Sequence, residues 1–524
     1  MESEAGTKVQ PLAAIDVQSD PENSMSSKNI TPPNRRRLFR IFIVEENISY
    51  SNFISYLIAC FATICLVAYL NVVQPFVLAI ILGITENTGN ITGSLALYDE
   101  IIALPATLLW GILSDRVGRR PVYSFGFICL GTSLILYPYV KNVYPHMLLC
   151  RLLFSVGSAA ATCMMTGTLG DMAGNQHERG RVSAIVGLFS AFGGMVAGLA
   201  LVKLPDQLGK KLHDEYRGHQ LSFTIVGGCA LALALILFLI LPKTGAGAAD
   251  GLTAWFKNCI SRGKGNTLDK QTSETLNPWK MLKYGVLAAR DPRIGLAYLS
   301  SFVSRADTVL FTSFVSLWVI QYHIGGGSCH IKLSGLNGTD DESSCSIAVT
   351  DTHRLTGIGQ GVSLICAPIF GYASERFQKS TVLAFAGIVG AIGSLPFAFT
   401  QTAPANGSNL AFVSLIGMGQ IGMIVTGMTL VNGVHTDPKY RGSIAGVFSF
   451  CGAVSIMVMA RLGGYLFDEW MHGAPFVLMG IAHLLIALMG VYVRIVTPRL
   501  ERQDLERLKA MENRKTKEES DQLE

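Results

Sequence analysis

The stretch Gly111-Ile112-Leu113-Ser114-Asp115-Arg116-Val117-Gly118-Arg119-Arg120-Pro121 lies between two long apolar segments and sets a carboxylate and three arginines around two glycines. Ile101 to Trp110 leads into it as the apolar end of a helix. A basic loop this short between two membrane spans belongs on the cytoplasmic side, because Lys and Arg are retained there. Once that side is fixed, every other span and loop takes its side by alternation.

The composition agrees. Half of the 524 residues are hydrophobic and only 15% are charged, against about a quarter in a soluble domain. Apolar runs of about 20 residues cross the hydrocarbon core. About twelve are present, near residues 52–82, 93–113, 121–140, 146–172, 182–204, 221–241, 293–322, 351–373, 381–400, 409–434, 442–467 and 474–496. Gln74-Pro75 is expected to kink the first or to end its regular part. The net charge of +5 is scattered over tails and loops, so it does not indicate nucleic acid. The expected class is an all-α membrane protein of twelve transmembrane helices in two pseudo-symmetric six-helix bundles.

The segments divide as a polar cytoplasmic tail 1–51, a bundle 52–241, a cytoplasmic linker 242–292, a second bundle 293–496 and a cytoplasmic tail 497–524. The halves echo each other. Gly111-Ile112-Leu113-Ser114-Asp115-Arg116 returns as Gly371-Tyr372-Ala373-Ser374-Glu375-Arg376. Gly187-Leu188-Phe189-Ser190-Ala191-Phe192-Gly193 returns as Gly446-Val447-Phe448-Ser449-Phe450-Cys451-Gly452. Both echoes are offset by about 260 residues, so two unrelated positions report one duplication.

The sequons at Asn90, Asn337 and Asn406 fall on the face opposite the 111–121 loop and are candidate glycosylation sites. Most of the 11 cysteines are dispersed in apolar runs. Cys329 and Cys345 instead share a polar outer loop, where a disulfide and free thiols are the two readings. No spacing suits a metal, no nucleotide-binding loop is present, and no reactive constellation suggests an enzyme or a bound cofactor.

Charges inside a span are costly and mark function by default. Arg305 and Asp307 lie near the middle of the seventh run. Two residues apart on a helix, they point to nearly opposite faces, one to a central cavity and one to a neighbouring helix. Asp99, Glu100 and Arg151 lie at matched depth in the second and fourth runs. These five are candidates for proton coupling or for meeting substrate charge; a structural ion pair is the alternative. Asn71, Gln74, Gln360 and Gln420 are candidate polar cavity residues, while His483 is read as packing.

The pattern G-x-x-x-D-R-x-G-R-R resembles the loop between the second and third helices of major facilitator superfamily transporters. Gly111, Asp115, Arg116, Gly118, Arg119 and Arg120 fall on the family's positions. Arg151 with Gly157 and Ala159 is similar to the family's second motif, although Phe154 departs from it. In motif style the chain is closest to drug/proton-antiporter-like members. It has Gly193-Gly194-Met195-Val196-Ala197-Gly198 where those members carry a proline.

The resemblance implies alternating access, with the halves rocking about a midplane site on the first, fourth, seventh and tenth helices. It implies a monomer moving an unidentified small molecule across a lipid bilayer, with protons as the coupling ion. An uncoupled facilitator and a non-transporting sensor are the alternatives. It makes the 111–121 loop a conformational latch. Asp115 would meet the start of the eleventh helix, and Arg116 and Arg119 are placed to pair with Asp171 or Glu178. The expected location is a plasma, vacuolar or lysosomal membrane, with both termini cytoplasmic.

Overall fold

The computed structural model describes residues 35–38, 42–45, 49–172, 176–241, 278–329, 345–400, 402–433 and 441–521. Twelve of its helices are long and apolar enough to span a membrane. They are α1 (Tyr50–Phe76), α2 (Thr88–Val117), α3 (Arg119–Leu136), α4 (Leu148–Met172), α5 (Gln176–Leu199) and α6 (Glu215–Ile240), then α7 (Pro292–Gly325), α8 (Ser346–Arg376), α9 (Lys379–Ala398), α10 (Gly407–Gly433), α11 (Arg441–Glu469) and α12 (Ala474–Asp521). Two shorter helices, Leu204–Leu212 and Pro278–Leu287, stand before α6 and α7.

The N-terminal tail departs from the all-helical expectation. Arg35–Leu38 and Phe42–Glu45 pair as a small antiparallel hairpin. The C-terminal charged segment continues α12 as helix to Asp521.

Local chemistry sets the helix ends. Ser49 caps α1, Asp214 caps α6, and Asp291 caps α7 ahead of Pro292, each side chain accepting a bond from an otherwise orphaned N–H. Gly118 has φ +97° and ends α2, a conformation that other residues adopt only with strain. Pro75 sits inside the end of α1, and Val77–Ile81 continues as a π-helical turn.

The duplication seen in the sequence is repeated in the packing. Within the first half α3 packs on α6 and α4, α1 on α5, and α2 on α4. Each pairing recurs six helices later: α9 on α12 and α10, α7 on α11, and α8 on α10. Glycines let many of these helices touch backbone to backbone, as Gly126 does with Gly157 and Gly131 with Gly227. Small residues suit helix pairs in lipid, where apolar side chains gain little by leaving the solvent.

The halves meet through α2 with α11, α5 with α8, and α1 with α7. Call the side bearing the Val117–Arg119 turn the loop face. At the opposite face the halves are in close contact: a Cβ on Gly464 would lie 2.2 Å from the Gly89 carbonyl oxygen, and one on Gly93 2.3 Å from that of Ala460. Gly446 lies on the same side of α11 as Gly464, about five turns toward the loop face, and meets nothing within 4 Å. On α5, Gly194 and Gly198 touch α8, whereas Gly187, about two turns nearer the loop face, meets nothing. The halves therefore diverge toward the loop face.

Candidate functional site

Two buried polar clusters stand among the spanning helices, one in each half. In the first, Arg151 of α4 is 6% exposed. Its Nε donates to Asp99 Oδ2 at 2.8 Å, and Nη2 also bonds that oxygen. Nη1 reaches Gln74 Oε1 and Nη2 reaches Asn71 Oδ1, both on α1. Ser155 Oγ donates to the Asp99 carbonyl at 2.7 Å, tying α4 to α2 again. The structure thus gathers Arg151, Asp99, Asn71 and Gln74 into one network. Buried charge is tolerated here because each nitrogen of the guanidinium fork has an acceptor.

In the second cluster His483, read from the sequence as packing, is buried and also has a polar partner. Its Nε2 lies 2.6 Å from Asp307 Oδ2, and neither side chain is more than 1% exposed. The imidazole lies over Gly390 of α9, whose hypothetical Cβ would fall 2.4 Å from Nδ1, and Ser394 Oγ is 3.5 Å from Nδ1. Asp307 Oδ1 is buried without a partner among the described residues. A carboxylate and an imidazole at this distance are hydrogen-bonded, which ties α12 to α7 inside the second half.

Arg305 is not part of that pair. It faces the other way, exposed between buried Ser304 and Ala306, and its stem lies against Gly452 of α11. Glu100 of α2 stands in the opposite half within reach of its charge. Gln420 Nε2 donates to Thr308 Oγ1 at 2.8 Å, linking α10 to α7. Gln360 of α8 lies against Gly194 of α5, across the halves.

The basic loop is only partly in view. The side chains of Asp115, Arg116 and Glu178 lie outside the described residues. Arg119 pairs with Asp171 at 3.1 Å, within the first half. In this conformation the Arg120 guanidinium bonds the Phe238 and Leu239 carbonyl oxygens and lies over the Phe238 ring, capping the end of α6. Gly111 packs loosely on Cys163.

A latch that the sequence did not disclose closes the opposite face. Asp468 of α11 accepts from the Gly89 N–H at 3.0 Å and the Asn90 N–H at 2.6 Å. It caps α2 from the other half, since Asn87 at the natural cap position makes no side-chain bond. Arg461 donates to Asn90 Oδ1, and Gln321 Nε2 donates to the Thr85 carbonyl and Thr88 Oγ1. In the neighbouring 470–473 turn, burial holds the His472 imidazole below the ordinary histidine range, against the pull of Asp468.

Asn90 is accordingly no exposed loop acceptor but a first-turn residue bonded to the other half. Asn406 is exposed, and Asn337 lies outside the described residues. Cys329 and Cys345 are joined as a disulfide. The Cys345 N–H donates to Glu215 Oε1 and Lys210 Nζ to Ser346 Oγ, binding that loop to the first half.

Two repeated six-helix halves, meeting at one face and parted at the other, define a polytopic membrane protein built as a duplicated bundle. The sequence pattern of the Major Facilitator Superfamily matches residues 53–335 and 297–518, and the chain belongs to that superfamily. Among its relatives is magnetosome protein MamH of Paramagnetospirillum magneticum, 24% identical over 424 residues, covering 79% of this chain and 86% of MamH. MamZ of the same organism is 22% identical over 433 residues, covering 80% of this chain; the chain spans only 59% of MamZ. Citrate exporter 1 of Aspergillus niger is 34% identical over 142 residues, which is 26% of this chain and 24% of the exporter. The crystal structure of the nucleoside transporter NupG superposes with a TM-score of 0.60 at 13% identity, covering 84% of this chain and 99% of NupG. That likeness is one of fold alone.

Proposed function

We propose that the protein moves a small molecule across its membrane by alternating access, driven by a proton gradient through Asp307 and His483. The observation that carries this reading is the fully buried Asp307–His483 pair, set in the wall of a bundle closed at one face and parted at the other. A charge taken out of water is stabilised by what surrounds it. Closing one face and opening the other changes the water that can reach the pair, so proton occupancy and conformation become linked.

On this reading the loop face is cytoplasmic, the conformation is inward-facing, and the Asp468 contacts close the outer side. The Arg151–Asp99 network is the rigid wall against which the solute is bound. The 111–121 loop would close the cytoplasmic side in the opposite conformation. A purified carrier reconstituted in proteoliposomes should acidify or alkalinise the lumen when a transported solute is added, read by an entrapped pH dye. Solute binding with no flux in either direction would make it a sensor, and flux with no proton movement a facilitator.

A further inference from the structure

The glycine echo between α5 and α11 is used differently in the two halves. In the first half, Gly193 lets the α1 backbone approach: a Cβ there would lie 2.2 Å from the Phe61 carbonyl oxygen. Its counterpart Gly452 faces the equivalent helix, α7, but backbone does not fill the space. The Arg305 stem and the Ser301 hydroxyl do, with Arg305 Cγ 2.6 Å, Ser301 Oγ 3.0 Å and Arg305 Cβ 3.3 Å from where a Gly452 Cβ would stand. Any larger residue at 452 would push the arginine aside.

The position of that guanidinium follows from the helix register. Gly89 faces Gly464 and Gly93 faces Ala460 across the closed end of the α2–α11 pair. Continued for about two turns, the register brings Glu100 to the level of Ala453, beside Gly452. Arg305 and Glu100 thus stand on opposite halves where the gap begins to open. The charge of Arg305 acts on Glu100, yet among the described residues no carboxylate lies within ion-pair distance of Arg305. Arg151, in contrast, has its fork filled by Asp99, Gln74 and Asn71.

We infer that Arg305, seated on Gly452, binds the anionic group of the transported molecule, a small organic carboxylate, with Glu100 as the counter-charge that the bound anion replaces. This rests on the transporter reading above. A planar guanidinium presents paired donors that match the two oxygens of a carboxylate. An exposed arginine in the gap can offer that fork to a solute arriving from the loop face. Glu100 on the other half balances its charge when the site is empty and competes with the anion for it.

The test is thermal unfolding of the purified full-length protein in detergent against a panel of added solutes: succinate and citrate as carboxylates, uridine as a neutral solute, choline as a cation. No gradient is present, so a failure of proton coupling leaves the result standing. At least one carboxylate should raise the unfolding midpoint, and uridine and choline should not. Arg305→Ala should weaken that binding by about 10- to 100-fold, as expected for lost charge-assisted hydrogen bonds. Arg305→Lys, which keeps the charge and the fold but loses the fork, should weaken it less. Gly452→Val should weaken it by displacing the stem without touching any charge, and Glu100→Gln should tighten it. Carboxylate binding that is unchanged in Arg305→Lys and Gly452→Val would overturn the inference. So would loss of binding in Glu100→Gln, a panel in which no carboxylate acts, or one in which only uridine or choline does.

Discussion

Asp307→Asn should abolish proton-driven accumulation, bringing the steady-state solute ratio across proteoliposomes down to that of the uncoupled exchange, while solute exchange between the two sides continues. The asparagine keeps the shape of the side chain and can still bond His483, but it cannot gain or lose a proton in the working range. Removing one partner of a buried ionic pair outright costs about 3–5 kcal/mol. Asp307→Ala and His483→Ala are therefore expected to reduce the yield of folded protein, and they do not separate coupling from stability. Asp307→Asn combined with His483→Gln does, because neither group is then charged. If that double variant unfolds at the wild-type temperature and shows no accumulation, the pair acts in coupling. Full, pH-dependent accumulation in Asp307→Asn would remove Asp307 from the mechanism.

Asp468→Asn should shift the resting conformation toward the form open at the face opposite the basic loop. Asp468 supplies both carboxylate oxygens to the first amides of α2, Gly89 and Asn90, where the helix dipole favours negative charge. In the other conformation those amides must find water instead. Asparagine keeps one acceptor oxygen and so loses one of the two bonds; a hydrogen bond to a charged group contributes about 1.5–3 kcal/mol, so the ratio of the two conformations should move by about 10- to 100-fold. Spin labels on the loop-face ends of α2 and α11, measured by pulsed dipolar spectroscopy, report that ratio directly. An unchanged distance distribution would show that the Gly89–Gly464 and Gly93–Ala460 backbone contacts alone hold that face shut.

What could be read from the sequence divides along physical lines. The spans follow from runs of apolar residues, and the duplication follows from glycine patterns that survive because helices must touch there. Asp307 and Arg305 stood out because a charge in an apolar run has few structural excuses. Arg151 and Asp99 were linked by depth alone, which works when two helices lie side by side. His483 was passed over because its partner lies 176 residues away, and an isolated histidine gives no local sign of what it faces. Asp468 was invisible for a different reason. An acidic residue near a helix end reads as solvated, and only tertiary structure brings the N-terminus of α2 to it. The sequon at Asn90 gave no sign of the residue's place in the first turn of α2, since a three-residue pattern does not report that its side-chain oxygen is bonded to Arg461.

Among the described residues, the contacts of the short helix Pro278–Leu287 are with the second half. Gly285 sits against the Ser443 carbonyl at the start of α11, the Tyr298 hydroxyl donates to the Gly285 carbonyl at 2.7 Å, and Ile294, Tyr298, Ile444 and Val447 close around them. The covalent join between the halves therefore lies upstream of this helix, in the stretch 242–277. The carrier should tolerate being made as two separate polypeptides, cut within that stretch, that find each other in the bilayer through α2 with α11 and α5 with α8. Co-purification of an untagged first piece with a tagged second piece beginning before Pro278 would show it. A second piece begun after Leu287 should assemble poorly, because it has lost the helix packed on the start of α11.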